Sequence, residues 1–295
     1  MMKAGILRIG AATSLLVFLF CSPGPVSADS SRGADRIVSL APSITESLFA
    51  IGAGVRVVGV TDHDVSPEEV KDLPSVGGYF DPSLERILSL SPDLVIGIAT
   101  FHGKLLERLE SLGVATLPLT IHRGLDGVKS GIAILGARLG MEEGAGKLLE
   151  SMEEGLKTVR DEVARTFPGG APSLLVVLWH DPLTVAGGVN YIDDIMRAIG
   201  IPNAASDIRY TFPQMDPEGI VSRDPAIILV PTTKRGMSVT PGSLLETLKD
   251  FPIAAIRERK VVSISADLLF HPGPRVVEAA RSLLEAARNF QGGKP

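Results

Sequence analysis

The chain has 295 residues, a formal net charge of −5 at pH 7 and one cysteine. This length allows two domains of ordinary size, each with its own buried core. The acidic balance argues against nucleic acid as a partner, because contacts with phosphates require a basic surface.

The N-terminal segment has the pattern of a secretory signal peptide. Lys3 and Arg8 precede an apolar run over residues 11–21, and Val26-Ser27-Ala28 has the small residues of a cleavage site. An apolar run of this length is too short to span a membrane. We therefore predict a signal peptide over residues 1–28 and a mature protein that is soluble in the periplasm.

A lipoprotein signal with an acylated Cys21 is the alternative. Bulky Phe20 stands immediately before this cysteine, which argues against a lipoprotein signal. Cleavage after Ala28 would remove the only cysteine, so we expect the mature chain to be stabilised by packed cores rather than by disulfides.

Beyond the signal peptide, short apolar strands alternate with helices. In the first series the predicted strands cover residues 36–40, 55–60, 94–98 and 114–117, and the predicted helices cover residues 42–51, 83–90 and 103–112. In the second series the predicted strands cover residues 173–178 and 226–230, and the predicted helices cover residues 191–199 and 275–290. Continuously apolar strands separated by helices are typical of parallel sheets covered on both faces. The predicted fold class is therefore α/β, with a mainly parallel sheet in each of two lobes.

One long helix is predicted between the two series. Its apolar residues recur at spacings of three and four, which places them on one stripe of a helix of about 25 residues. These residues are Leu148, Leu149, Met152, Leu156, Val159 and Val163. Pro168-Gly169-Gly170 ends the pattern. The predicted organisation is an N-terminal lobe over residues 29–140, an interlobe helix over 141–168 and a C-terminal lobe over 169–295.

A sequence repeat links the two series. Residues 79–97 recur in outline as residues 212–230, with Tyr79 matched to Phe212. The identical pairs are Glu85 and Glu218, Ile87 and Ile220, Ser89 and Ser222, and Pro92 and Pro225. Each copy has an aromatic residue, a loop, a helix with an outward acid, a proline and an apolar strand. Two similar lobes are thus predicted, with a ligand cleft between them.

Three blocks of sequence carry a family resemblance. They are RIVSLAPSITESLFAIGAGVRVVGVT from residue 36, VGGYFDPSLERILSLSPDLVI from residue 76 and FPQMDPEGIVSRDPAIILV from residue 212. With the signal peptide and the single interlobe helix, they resemble the helical-backbone class of ABC-importer substrate-binding proteins. That class serves cobalamin, haem and ferric siderophores, and this sequence is most similar to the cobalamin-binding members. The resemblance implies a monomer that binds a macrocycle and docks on membrane permease and ATPase subunits.

The resemblance also implies a set of ligand contacts on loops that face the interlobe cleft. These residues are His63, Tyr79, Phe80, Trp179, His180, Phe212, Asp267, Leu268, Leu269, Phe270 and His271. Tyrosine, phenylalanine and leucine stand where tryptophans are familiar in cobalamin binders, so haem remains the alternative ligand. Siderophores rank third, because the residues expected in the cleft include few basic groups.

Aromatic side chains suit a flat macrocycle, since they supply contact area with little loss of rotamer entropy. His63 and His271 are candidates for axial ligands of its metal, and so is the Tyr79 phenol. A polar contact without coordination is the favoured interpretation for both histidines, because no paired ligands surround them. His102 and His122 are expected to be ordinary loop residues. No metal site of the protein itself and no resident cofactor are predicted.

Glu85 and Glu218 occupy matching positions in the two copies of the repeat. The resemblance implies that each acid docks on one half of a two-fold permease, where it could meet an arginine.

The sequence contains no dinucleotide fingerprint, no G-x-S-x-G elbow and no H-E-x-x-H motif. We therefore predict a binding protein rather than an enzyme, with a secreted chelatase-like enzyme as a distant alternative.

Overall fold

The structure of the protein is a computed structural model that describes residues 34–121, 123–232 and 239–290. The predicted signal peptide, Cys21 and His122 lie outside the described residues. No helix in the described ranges combines the length and the apolarity that are needed to cross a membrane.

The first half of the described chain forms a parallel sheet with helices between its strands. Its elements are β1 (Ile37–Ser39), α1 (Pro42–Ala50), β2 (Val57–Gly59), α2 (Leu84–Ser89), β3 (Leu94–Ile98), α3 (Ala99–Ser111), β4 (Ala115–Leu119) and α4 (Gly124–Leu139). The strand order is β2-β1-β3-β4, and every neighbouring pair is parallel. The predicted strand over residues 55–60 is shorter than expected, because Gly54–Arg56 forms a 3₁₀ turn.

The second half forms another four-stranded sheet. Its elements are α5 (Glu142–Thr166), β5 (Leu174–His180), β6 (Leu183–Val185), α6 (Tyr191–Ile199), α7 (Pro217–Arg223), β7 (Ile227–Thr232), α8 (Pro241–Leu248), α9 (Ala254–Arg257), β8 (Val261–Ser265), α10 (Ala266–Phe270) and α11 (Val276–Arg288). The order is β6-β5-β7-β8, in which only the β6–β5 pair is antiparallel. The predicted α/β class with two mainly parallel sheets is confirmed.

Helix α5 extends over 25 residues and joins the two halves. It contacts α1 and α4 of the first half and α6 and α11 of the second. Its predicted apolar stripe faces inward: Met152, Leu156, Val159 and Val163 are buried, and Leu148 and Leu149 are partly buried in the same core. Each fully buried side chain of this kind contributes about 1.5–3 kcal/mol through removal from water. The helix and both sheets thus share one continuous apolar core.

The sequence repeat is also a structural repeat. Ile87 of α2 and Ile220 of α7 are both fully buried. An isoleucine at the same position of the repeat therefore packs each short helix against its own half of the protein. Ser91 and Asp224, which follow these helices at equivalent positions, both adopt left-handed backbone conformations with φ of 47° and 37°. These turns direct the chain into β3 and β7, which are inner strands of their sheets.

Two segments that were predicted as loops are helical. His102 lies in α3, because this helix begins directly at the end of β3 without an intervening loop. Its Nδ1 accepts a hydrogen bond of 2.9 Å from the Ile98 N–H, a group that has no partner within the helix. The segment 267–271 lies mostly in α10 rather than in a loop, since Ala266 and Leu269, three residues apart, are both buried against the core.

Candidate ligand-binding site

A cavity of about 660 Å³ lies between the two halves of the protein. It is lined by side chains that are mostly aromatic or aliphatic, and we refer to it as the aromatic cavity. The lining residues are Tyr79, Phe80 and Phe101 from the first half, and Leu178, Trp179, Thr184, Asn190, Tyr191, Ile192, Thr211, Phe212, Leu269, Phe270 and Pro272 from the second. A volume of this size is in the range of small-molecule and cofactor sites.

The wall from the first half is a cluster of aromatic rings. The Tyr79 ring centroid lies 4.7 Å from that of Phe80 and 5.6 Å from that of Phe101, both with edge-to-face geometry. Phe80 remains 72% exposed despite its size. Edge-to-face packing favours the rings by about 0.5–1.5 kcal/mol per pair, but it leaves apolar faces available for a ligand.

Two histidines hold the backbone of Tyr79. The Tyr79 N–H donates a long hydrogen bond of 3.4 Å to His63 Nδ1, and the Tyr79 carbonyl lies 2.7 Å from His102 Nε2. Because His102 Nδ1 already accepts from Ile98, its Nε2 carries the proton and donates to Tyr79. Gly77 has a φ of +115°, a conformation that favours glycine and turns the chain toward this wall.

Burial shifts the pKa of two groups at this wall. It raises the pKa of the Tyr79 phenol further above physiological pH, at which a phenol is already neutral. It lowers the pKa of His102, although the hydrogen bond to the Tyr79 carbonyl opposes this effect. A neutral imidazole therefore supports Tyr79 at neutral pH.

The wall from the second half is built on the end of β5. Trp179 and His180, predicted to lie in a loop, are the last residues of this strand, because the chain reverses into β6 and pairs with them in antiparallel fashion. The Trp179 indole N–H donates to the Asp181 carbonyl at 2.8 Å, which fixes the ring at the rim of the cavity. Phe212 and Trp179 are both substantially exposed for large apolar residues.

Asn190 organises the polar edge of the same wall. It caps α6 by accepting from the Asp193 N–H at 3.0 Å. Its Nδ2 donates to the carbonyls of Gly187 and Thr211, at 2.9 and 2.8 Å. One buried amide therefore connects the loop that bears Phe212 to the start of α6.

Six of the predicted contact residues line the aromatic cavity: Tyr79, Phe80, Trp179, Phe212, Leu269 and Phe270. Five others do not line it: His63, His180, Asp267, Leu268 and His271. Sequence reasoning missed Phe101, which follows the carboxyl end of β3, and Tyr191, which begins α6. For Phe101 this position was the available signal, since ligands of parallel sheets bind beyond the carboxyl ends of the strands.

His63 and His271, the two histidines considered as axial ligands, do not line the cavity. His63 is tied to the Tyr79 N–H, and His271 lies between the lining residues Phe270 and Pro272. Burial lowers the pKa of His271, so it is neutral at physiological pH. Within the described ranges, no cluster of three histidine, cysteine or acidic residues could hold a metal ion.

A buried ion pair connects the two halves near this region. Glu46 of α1 accepts a 2.7 Å bond from Arg275, which immediately precedes α11. Glu46 is only 5% exposed, and burial raises its pKa even though Arg275 acts against that shift. One carboxylate oxygen of Glu46 has no protein partner, so this pair is desolvated and incompletely satisfied.

Glu85 and Glu218 are the second residues of α2 and α7, and both are exposed. Each helix has a side-chain cap at its start. Ser83 accepts from the Arg86 N–H at 3.3 Å, and Asp216 accepts from the Gly219 N–H at 2.7 Å. No ion pair between described residues involves either glutamate. The two acids thus share their helix position, their exposure and a side-chain cap at the start of the helix.

The model of the periplasmic binding protein family matches residues 37–268 of the chain. A relative named vitamin B12-binding protein, from Yersinia pestis (strain Pestoides F), is 27% identical over 288 residues, which cover 97% of this chain and 95% of that protein. Another, from Bacillus subtilis (strain 168), is named uncharacterized ABC transporter substrate-binding lipoprotein YvrC. It is 28% identical over 274 residues, covering 89% of this chain and 85% of its own.

The fold is also found among solved structures. The apo form of the periplasmic heme-binding protein RhuT from Roseiflexus sp. RS-1 has a TM-score of 0.76 and 30% sequence identity. The match covers 87% of this chain and 99% of that one. The two-lobed α/β architecture is therefore shared over nearly the full length of the described chain.

Proposed function

Since the chain belongs to the periplasmic binding protein family, we propose that it is the solute-binding component of an ABC importer and captures a cobalamin-like corrinoid in the aromatic cavity. The observation that carries this proposal is the cavity of about 660 Å³ walled by aromatic side chains from both halves. A macrocycle has broad apolar faces, and rigid rings on both sides provide contact area at low entropic cost. The relative named vitamin B12-binding protein supports the choice of a corrinoid.

Haem is the second candidate ligand. The Tyr79 phenol belongs to the cavity wall, and a phenolate is a known axial ligand of haem iron. Coordination would require loss of the phenol proton, and the pKa of Tyr79, which burial raises, opposes that loss. Binding of the iron to the phenolate oxygen would supply the free energy that offsets the deprotonation. The similar structure named a periplasmic heme-binding protein also supports this candidate.

In this proposal the protein carries its ligand without changing it. The mature chain works as a monomer in the periplasm and presents Glu85 and Glu218 to the permease of the importer. A secreted enzyme that acts on the macrocycle would instead release an altered product.

Visible absorption and calorimetry test the ligand directly. The purified mature protein is titrated with cyanocobalamin and, separately, with hemin. One-to-one binding of cyanocobalamin with recovery of the unchanged ligand is the expected result. Binding of hemin alone would move the assignment to haem. Binding of neither, or turnover of either, would contradict the proposed function.

A further inference from the structure

A second cavity, also of about 660 Å³, adjoins the aromatic cavity. The two share Asn190 and Thr211 as lining residues, so they meet at the polar edge of the second-half wall. The second cavity is lined by Arg123, Arg197 and Arg209 together with Asp194. We refer to it as the basic annex.

Only part of the positive charge in the basic annex is neutralised by the protein. Arg197 pairs with Asp194 at 3.1 Å and also with Asp193. Asp194 is further engaged, since it accepts from the Leu125 N–H at 3.1 Å. In the described part of the chain, neither Arg123 nor Arg209 takes part in an ion pair. Two guanidinium groups are therefore left without a compensating carboxylate.

These two arginines approach the annex from different halves of the protein. Arg123 immediately precedes α4, at the end of the first half. Arg209 lies in the segment that continues through Thr211 to Phe212, so it shares a loop with one aromatic wall. A ligand whose flat body lies in the aromatic cavity would therefore direct one edge toward both guanidinium groups.

We propose that the basic annex binds anionic groups on the periphery of the macrocycle through Arg123 and Arg209. This inference rests on the proposed function. Guanidinium groups match the geometry of carboxylates and phosphates and bind them with charge-assisted hydrogen bonds. The anionic groups would be carboxylates on the ring edge of a porphyrin or the phosphodiester of a corrinoid side chain. In both kinds of macrocycle, negative charge lies next to an apolar body. The basic annex lies next to the aromatic cavity in the same way.

Ligand pairs with and without this charge test the proposal. Hemin is compared with hemin dimethyl ester, in which only the carboxylates are masked. Cyanocobalamin is compared with dicyanocobinamide, which lacks the phosphodiester together with the rest of the nucleotide. The variants are R123Q, R209Q and the double variant. R160Q is the matched control, because Arg160 is an exposed residue of α5 that lines neither cavity.

The double variant should raise the Kd of the anionic ligand by about 10- to 100-fold, the effect of losing charge-assisted hydrogen bonds. The Kd of its neutralised counterpart should change by less than about 2-fold, and R160Q should bind both as the wild type does. Added salt should weaken binding of the anionic ligand by the wild type. Circular dichroism of the variants checks that they are folded.

Unchanged binding of the anionic ligand by a folded double variant would overturn the proposal, as would an equal loss for both members of a ligand pair. In either case the proposed function would stand, because the wild type still binds a macrocycle. If the wild type binds none of the four ligands, the proposed function fails and this inference fails with it.

Discussion

His102 Nε2 lies 2.7 Å from the carbonyl oxygen of Tyr79, so a buried residue of α3 holds the loop that carries an aromatic wall of the cavity. The other ring nitrogen accepts from the Ile98 N–H at the end of β3. One imidazole thus connects a central strand, a helix and the candidate ligand site. It acts as a positioning residue, since it does not line the cavity.

Replacement of His102 by alanine should destabilise the protein by about 2–4 kcal/mol, because the Ile98 N–H and the Tyr79 carbonyl both lose a buried partner. Chemical denaturation at pH 7.5 measures the loss. Ligand affinity should fall as well, since the Tyr79 loop is no longer fixed. A variant with wild-type stability would contradict this role.

The contribution of His102 should also depend on pH. Burial lowers its pKa in the folded state, so the unfolded chain binds this proton more readily. The stabilisation is therefore complete above the unfolded pKa of about 6.5 and is lost as pH falls below that value toward the folded pKa. The difference in unfolding free energy between wild type and H102A should shrink between pH 7.5 and 5.5. A difference that stays constant over this range would exclude the predicted linkage.

The aromatic walls should dominate ligand affinity. Replacement of Tyr79 or Phe212 by alanine should cost about 1–3 kcal/mol of binding free energy, the loss of one buried aromatic contact. L112A removes an exposed apolar side chain outside the cavity and should leave calorimetric affinity unchanged. Y79F distinguishes two roles of Tyr79: it should preserve affinity if the ring only packs, and it should alter the hemin absorption spectrum if the phenolate coordinates iron. Wild-type affinity of both alanine variants would argue against ligand binding in this cavity.

The buried ion pair between Glu46 and Arg275 should be costly to break. R275M leaves the Glu46 carboxylate buried without its cation, and we expect a loss of about 3–5 kcal/mol of unfolding free energy. The added substitution E46Q should restore part of that loss, because it removes the unpaired charge. The matched control is R288M, which breaks the more exposed pair of Arg288 with Glu162 and should cost about 1 kcal/mol or less. Equal losses for R275M and R288M would contradict the role assigned to burial.

Processing of the N-terminus has a direct test. Cleavage after Ala28 predicts that the exported protein begins at Asp29, and its intact mass should match that unmodified chain. A mass that includes Cys21 with attached acyl chains would show that the protein is a lipoprotein instead.

The fold was predictable because its signals are local and periodic. Continuous apolar strands and the stripe from Leu148 to Val163 depend only on spacing along the chain, and both are borne out by burial. The short strand β6 was missed, because three residues carry no periodicity of their own. The predicted loop at residues 267–271 failed for a similar reason, since α10 is a single short helix held by its contacts with the core.

The candidate site was only half predictable. Tyr79 and Phe212 could be placed because they occupy the same position in a sequence repeat. His102 was missed because its role depends on a hydrogen bond to a residue 23 positions away. Arg123 and Arg209 were missed because their proximity to the cavity is created by the arrangement of the two halves. Contacts of that kind have no signature in spacing or composition.

The matching settings of Glu85 and Glu218 lead to a prediction about the transporter. Both are exposed second residues of capped helices, so each carboxylate is accessible to a partner. Charges at a rim act on association with a partner, and their effect weakens as salt increases. The double variant E85Q/E218Q should therefore reduce ligand uptake and stimulated ATP hydrolysis by the cognate importer, while ligand affinity of the free protein stays near that of the wild type.

Two controls separate docking from other effects of lost charge. The double variant E107Q/E150Q removes two exposed acids from α3 and α5 and should support normal uptake. The conservative variant E85D/E218D should restore part of the uptake that E85Q/E218Q loses, because the charge is retained on a shorter side chain. Normal transport by E85Q/E218Q at physiological ionic strength would show that these acids do not dock the protein. A collapse of its ligand affinity would instead place the two acids in the ligand site, where they would serve the ligand rather than the permease.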